Sequence, residues 1–249
     1  MSKNKSFMSM RTQAFLTAAL SFVLLLTLFQ LKQKTAQQRL DYQNAVYFVE
    51  ANAKLAKGSD YLTSEARAFS VTKKIEHLNN FWNEVNVTKR RDAAVATLKE
   101  LNGDEALLSL LVESKANSDA LIQTELTSMR AVLEAIEVPV SNMPKPVADY
   151  TLPAKVSAMS KAEKINYAQQ ILFDKKYYAD KRSIMAPLEK FQKLIASSME
   201  ANRLSQSGQT TASLYIAKAL TVLLVILGVN MARLSSLNAR KSPQARKKS

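Results

Sequence analysis

The chain has 249 residues, 47% of them hydrophobic and 22% charged, with 35 basic and 21 acidic side chains, no cysteine, one histidine and four glycines. The lack of cysteine excludes disulfides, thiolate metal sites and a cysteine nucleophile, and a lone His77 leaves little from which to build a zinc site or a Ser-His-Asp triad. Few glycines among plentiful alanine, leucine, lysine, glutamate and glutamine favour long helices over strands and tight turns, so an all-α protein is expected, without metal or cofactor.

The formal net charge of +14 invites a nucleic-acid reading, but the charge is placed otherwise. Lys3, Lys5 and Arg11 precede the first apolar segment, and Arg233, Arg240, Lys241, Arg246, Lys247 and Lys248 follow the second, with no acid in either flank. These nine charges, with Lys218, leave only +4 for residues 32–211. An excess confined to the flanks of apolar segments is the positive-inside pattern, and no nucleic-acid partner is expected.

Residues 1–11 are read as a cytoplasmic N-terminus and 12–31 as a first transmembrane helix. The twenty residues between Arg11 and Lys32 carry no charge; at about 1.5 Å per residue they cross a hydrocarbon core of roughly 30 Å. A cleaved signal peptide is the competing reading. The run is long for one, and Lys32-Gln33-Lys34 follows it where a small-x-small cleavage site would stand.

From Lys32 to Thr72 there is no proline, so the same helix is expected to continue. Phe48, Asn52, Leu55, Ser59, Leu62, Ala66 and Phe69 recur at spacings of four and three, the seam of a bundle helix. Lys34, Gln38 and Asp41 continue that register and should pack loosely. After an interruption near Thr72 to Glu76, a second helix is read through Leu78, Phe81, Val85, Val95 and Leu98 to an Asn102-Gly103 turn. Asp104 can cap a third helix, which runs to about Glu137 with Leu107, Leu111, Leu121, Val132 and Leu133 inward. Pro139, Pro144, Pro146 and Pro153 then mark one long loop of irregular surface structure.

Ser160 and Glu163 have the spacing of a capping box, so a fourth helix should start there. It is expected to pass Ile165, Ala168 and Leu172, to be disturbed near Ala186-Pro187, and to resume through Leu188, Phe191, Ile195 and Met199. Residues 212–232 form a second apolar span; Lys218 can carry its ammonium to the headgroups, and Tyr215 can anchor at the interface. Arg11, Lys32, Tyr215, Lys218 and Arg233 are the candidate membrane-interface residues, in contact with lipid. Both basic flanks lie outside the two spans, so both termini are expected in the cytoplasm, with 233–249 a basic tail. Residues 32–211 then lie outside, as an extracytoplasmic helical domain. The architecture expected is a membrane-anchored up-down four-helix bundle with two transmembrane helices.

This layout resembles the sensor half of methyl-accepting chemotaxis proteins and related transmembrane histidine kinases and diguanylate cyclases. The local likeness lies in Ser59-Asp-Tyr-Leu-Thr-Ser-Glu-Ala-Arg-Ala-Phe-Ser-Val-Thr72, His77-Leu-Asn-Asn-Phe-Trp82, Lys89-Arg-Arg-Asp92 and Ile171-Leu-Phe-Asp-Lys-Lys-Tyr-Tyr-Ala-Asp180. It is similar to an Arg-x-aromatic helix end, a short turn, and a helix opening on an aromatic pair. The resemblance covers about residues 10–235 and implies a homodimeric periplasmic or extracellular sensor domain in a bacterial inner membrane. It departs after Ala232, where such receptors continue into a HAMP relay and an output domain and this sequence has seventeen residues. The expectation is a truncated or stand-alone receiver, or one that signals through another membrane protein.

Candidate ligand-binding residues are Arg67, Trp82, Arg90, Arg91, Tyr177 and Tyr178. Arg67, Lys73, Lys74, Lys89, Arg90 and Arg91 cluster in sequence around the membrane-distal end and, converging across a dimer interface, would suit a small anionic ligand, because guanidinium forks match carboxylates. The alternatives are a solvated basic surface with ion pairs between Glu84 and the Thr88-Lys89 neighbourhood, a core role for Trp82, plain packing at Tyr177 and Tyr178, and a surface position for His77. No phosphate loop, H-E-x-x-H or nucleophile elbow occurs, and no enzyme is expected. The function expected is signal reception by helix displacement, with a membrane-anchored structural or interaction module contacting another envelope protein as the alternative. Polar seam positions Asn52, Ser59 and Ser114 would ease the repacking such a receiver needs.

Overall fold

The computed structural model describes residues 10–101 and 103–245, with side chains as far as residue 236. Asn102 of the expected turn, all of Lys3, Lys5, Arg246, Lys247 and Lys248, and the side chains of Arg240 and Lys241 lie outside the described residues. Among those residues the chain is all-α, with no strand. The helices are α1 (Met10–Thr72), α2 (Ile75–Asn83), α3 (Arg90–Glu100), α4 (Glu105–Ala135), α5 (Lys145–Ala148), α6 (Ala154–Ser157), α7 (Lys161–Gln170) and α8 (Lys175–Ala245).

The chain divides into two compact units. One is Gln43–Met199; the other joins the described residues up to Tyr42 with those from Glu200 onward. In the second unit α1 and α8 run side by side and antiparallel. Thr17 Oγ1 meets Met231 Sδ at 3.7 Å, Lys34 Nζ donates to Gln209 Oε1 at 3.1 Å, and Gln38 Nε2 donates to Thr210 Oγ1 at 3.5 Å. Each helix contains an 18-residue window long and apolar enough to cross a membrane, and those windows are only 0% and 6% buried within the protein. A core helix would hide such a surface; these leave it bare.

Gln43–Met199 has its core in two apolar clusters. One gathers Ala51, Leu55, Leu98, Leu111, Leu188, Phe191 and Ile195; the other gathers Leu62, Phe69, Leu78, Phe81, Leu121, Val132, Leu172 and Tyr177. The α1 seam is buried from Asn52 to Phe69, with Phe48 half-buried. Asp104 caps α4 by accepting from Ala106 N at 2.7 Å, and the Ser160–Glu163 capping box opens α7 with both of its bonds in place.

Four local expectations are corrected. The second helix is not continuous. Glu84–Thr88 form one π-helical turn that ends on Lys89 in the left-handed region, φ 49°, and α3 restarts from there. Val85, Val87 and Thr88 are β-branched and favour helix weakly. The buried Glu84 carboxylate accepts from the backbone N of Arg90 at 3.2 Å and from its Nε at 2.8 Å, so it caps the new helix.

The break in the last helical stretch falls at residues 171–174, not at Pro187. Asp174 Oδ1 accepts from Tyr177 N at 2.7 Å and starts α8, which then passes Pro187 unbroken. The proline-rich loop is not merely surface. It carries α5 and α6 and buries Met143, Val147, Leu152 and Val156 in the core, with Arg130 Nη1 donating to the Val147 and Ala148 carbonyls at 3.0 and 3.1 Å. His77 is half-buried, its Nδ1 2.8 Å from Glu65 Oε2.

Candidate functional site

Among the buried residues of α4, Leu107, Leu111, Ser114, Ser118, Leu121, Glu125, Ser128 and Val132 follow one line at spacings of four and three throughout. Four of these eight seam residues are polar. A stripe that only packed would be apolar, because each buried polar group must recover its lost hydration through a hydrogen bond.

Ser114, Ser118, Ser59 of α1 and Arg91 of α3 form a polar layer between the two apolar clusters. Ser59 Oγ donates to Ser118 Oγ at 3.0 Å, and Ser114 Oγ donates to the Ile184 carbonyl of α8 at 2.8 Å. Arg91, 4% exposed, donates from Nη1 to Ser118 Oγ at 2.9 Å and to Asp119 Oδ1 at 2.7 Å. Lys115 bonds Asp119 Oδ2 at 2.6 Å and lies 3.1 Å from Asp92 Oδ1. Burial of Lys115 opposes its charge, but the two carboxylates outweigh that and raise its pKa.

The second group surrounds Glu125. Its carboxyl is 1% exposed and accepts from the Tyr177 hydroxyl at 2.6 Å. Burial pushes Glu125 up to about 7, against the Tyr177 hydrogen bond and the charges of Arg91, Lys181 and Arg67. Tyr177 is raised in turn, by burial and by Glu125. Beside them the Arg67 guanidinium stacks on Phe173 at 4.6 Å, Tyr177 at 5.0 Å and Tyr178 at 5.2 Å, and Nε donates to the Leu172 carbonyl at 3.0 Å. Arg67 Nη2 is buried without a hydrogen-bond partner.

No family model, curated protein or solved structure matches the chain, so the reading rests on these residues.

Of the ligand-binding candidates, the fold brings Arg67, Tyr177 and Tyr178 together. Arg90 and Arg91 are committed elsewhere: Arg90 to Glu84, with its guanidinium 4.7 Å over the Tyr61 ring, and Arg91 to Ser118 and Asp119. Within one chain, Glu84 thus pairs with Arg90 and Asp119 with Arg91. Trp82 is a core residue, edge-on to Phe81 at 5.2 Å and 73°, with Nε1 buried and unpartnered. Among the membrane-interface candidates Lys218 lies 5.9 Å from the Tyr215 ring centre, and Arg11, Lys32 and Arg233 are exposed. Glu125, Ser118 and Asp119 were not singled out from sequence. The signal was available: extending the α4 seam in both directions from Leu121 places Ser118 and Glu125 on it.

Proposed function

We propose that the chain is a non-catalytic signal receiver of a bacterial inner membrane, similar in plan to the sensory module of a chemotaxis receptor. In this reading α1, α2 with α3, α4, and α7 with α8 make an up-down four-helix bundle, homodimeric and extracytoplasmic. The apolar ends of α1 and α8 span the bilayer, with both termini in the cytoplasm. The ligand is a small anion received beside Arg67, and the response is a displacement of α8.

The observation that carries this reading is the polar seam. Glu125, Ser114 and Asn117 of α4 each bond α8, through Tyr177, Ile184 and Ser183. A joint made of hydrogen bonds has alternative pairings of similar energy, which a close-packed apolar joint lacks, so a ligand can favour one arrangement over another. The unpartnered Arg67 Nη2 supplies a donor for a carboxylate.

The cysteine-free sequence makes the test clean. A Thr17→Cys/Met231→Cys pair in the full chain, in native membranes, reports the spacing of α1 and α8. A panel of di- and tricarboxylates should contain one that binds, changes the crosslinking rate, and loses both effects in Arg67→Ala. Binding by none, together with stoichiometric co-purification of an envelope protein, would favour the interaction-module reading instead.

A further inference from the structure

Glu125 is a carboxyl in a core position, and among the described residues no cation facing it bonds its oxygens. Arg67 of α1 is held by three aromatic rings and the Leu172 carbonyl, with Nη2 left unpartnered. Arg91 of α3 is paired with Asp119 of α4. Lys181 of α8 is paired with Asp60 of α1. Tyr177 of α8 is the remaining titratable neighbour and the only hydrogen-bond donor given to the carboxyl among the described residues. No ion pair reaches Glu125 among those residues. A buried carboxylate with one phenol donor and no counter-ion in contact keeps little of the solvation its charge needs, whereas the neutral acid fits the same place at small cost.

We propose that Glu125 is a proton-binding site in the joint between α4 and α8: the neutral acid keeps the joint dry and closed, and loss of the proton admits water and loosens it, although the Tyr177 bond itself favours the ion. The surroundings set the range. The three nearby cations and the phenol draw the proton off, burial holds it on, and burial wins, leaving the carboxyl half-ionised at about pH 7. Above that pH the ion draws water toward the seam and competes for Arg67 and Arg91. Part of the Arg67 stack and part of the Arg91–Asp119 pair are then given up, so the joint and the polar layer respond together. The proton site stands on the geometry alone. Its use as a signal rests on the function proposed above.

The test uses the full chain in lipid nanodiscs, with selectively labelled glutamate. The Glu125 carboxyl, identified by its loss in Glu125→Gln, is followed by carbon NMR from pH 4 to 9. A midpoint near 7 is expected, moving upward in Tyr177→Phe, because that variant loses the one bond that favours the ion. Hydrogen exchange, corrected for intrinsic rates, reads the joint. Protection around Tyr177 should fall at least about tenfold across the midpoint in the native chain and stay flat in Glu125→Gln. A midpoint in the ordinary carboxylate range overturns the proposal, as does exchange that ignores the midpoint. The Thr17→Cys/Met231→Cys crosslink is recorded over the same range. A response there bears only on the signalling reading, so the two can fail separately.

Discussion

Asn117 Nδ2 donates at 2.9 Å to the carbonyl of Ser183, the acceptor that Pro187, four residues on, cannot bond. A proline inside a helix removes one N–H and crowds the carbonyl four residues before it, a combined cost of about 3 kcal/mol. Here α4 supplies the missing donor, and Ser114 adds one to the next carbonyl, Ile184, at 2.8 Å. The helix therefore crosses Pro187 and breaks where Asp174 offers a cap. Asn117→Ala should destabilise the fold by about 1 kcal/mol, the worth of one hydrogen bond. Pro187→Ala should remove most of that penalty, since residue 187 then donates to Ser183 itself. A double-mutant cycle on thermal unfolding measures the coupling.

At Gly58 of α1 the start of α3 packs closely. A Cβ there would lie 2.9 Å from Arg91 Cγ and 3.3 Å from Glu84 Oε1. Neither neighbour yields freely, because Arg91 is fixed by Ser118 and Asp119, and Glu84 by its bonds to Arg90. Alanine would gain about 1 kcal/mol of helix propensity but overpack a tight contact, which costs about 1–3 kcal/mol. Gly58→Ala should be destabilising by up to about 2 kcal/mol, and Gly58→Val more so. Chemical denaturation of the two variants against the native chain checks the order.

The helical class, the α1 seam and two of the side-chain caps were legible because each rests on a local pattern: apolar spacing at Leu55, Leu62 and Phe69, and short polar caps at Asp104 and Ser160. What was not legible rests on contacts far apart in sequence. Nothing near Pro187 announces that Asn117 will bond Ser183. Arg90 and Arg91 read as a surface pair until Glu84 and Asp119 are brought to them. Glu125 was half legible. Its seam position follows from spacing, but its burial against Tyr177, 52 residues on, does not.

The left-handed backbone positions were hidden for a simpler reason, since among the described residues they are filled by charged side chains: Lys73, Lys89 and Glu137, at φ 61°, 49° and 60°. Glu137 ends α4 in a Schellman arrangement, with Val138 N donating to the Leu133 carbonyl at 3.0 Å. A side chain in this region costs about 1–2 kcal/mol, while glycine enters it freely and loses part of the gain to its flexible unfolded state. Glu137→Gly gives up only an exposed contact with Lys161. It should stabilise the fold by about 0.5–1 kcal/mol, read as a higher unfolding midpoint. Alanine at the same position should not.

The pH profile of stability follows from two carboxyls that move in opposite directions. Glu134 is held below the usual carboxylate range: partial burial pulls it up, but hydrogen bonds from Lys164 and Arg130 outweigh that. Its contribution is present at neutral pH and is lost as pH falls through its lowered value. Glu125 moves from 4.5 up to about 7. The folded state then holds more protons than the unfolded chain between those values, so its contribution is full below the lower value and is lost as pH rises through the upper one. Its burial is nearly complete, so solvent screening takes little from the effect, and the loss amounts to about 3 kcal/mol. At about 2–4 °C per kcal/mol for a domain of this size, the unfolding temperature should drop by about 6–12 °C between pH 4.5 and pH 8. Maximum stability should lie at about pH 5, on the acid side of neutrality. Glu125→Gln cannot ionise, so it should remove the decline above that maximum and leave the acid limb in place. Circular dichroism melts of both full-length proteins across that range provide the measurement, and parallel profiles would mean that Glu125 is ionised in the folded chain.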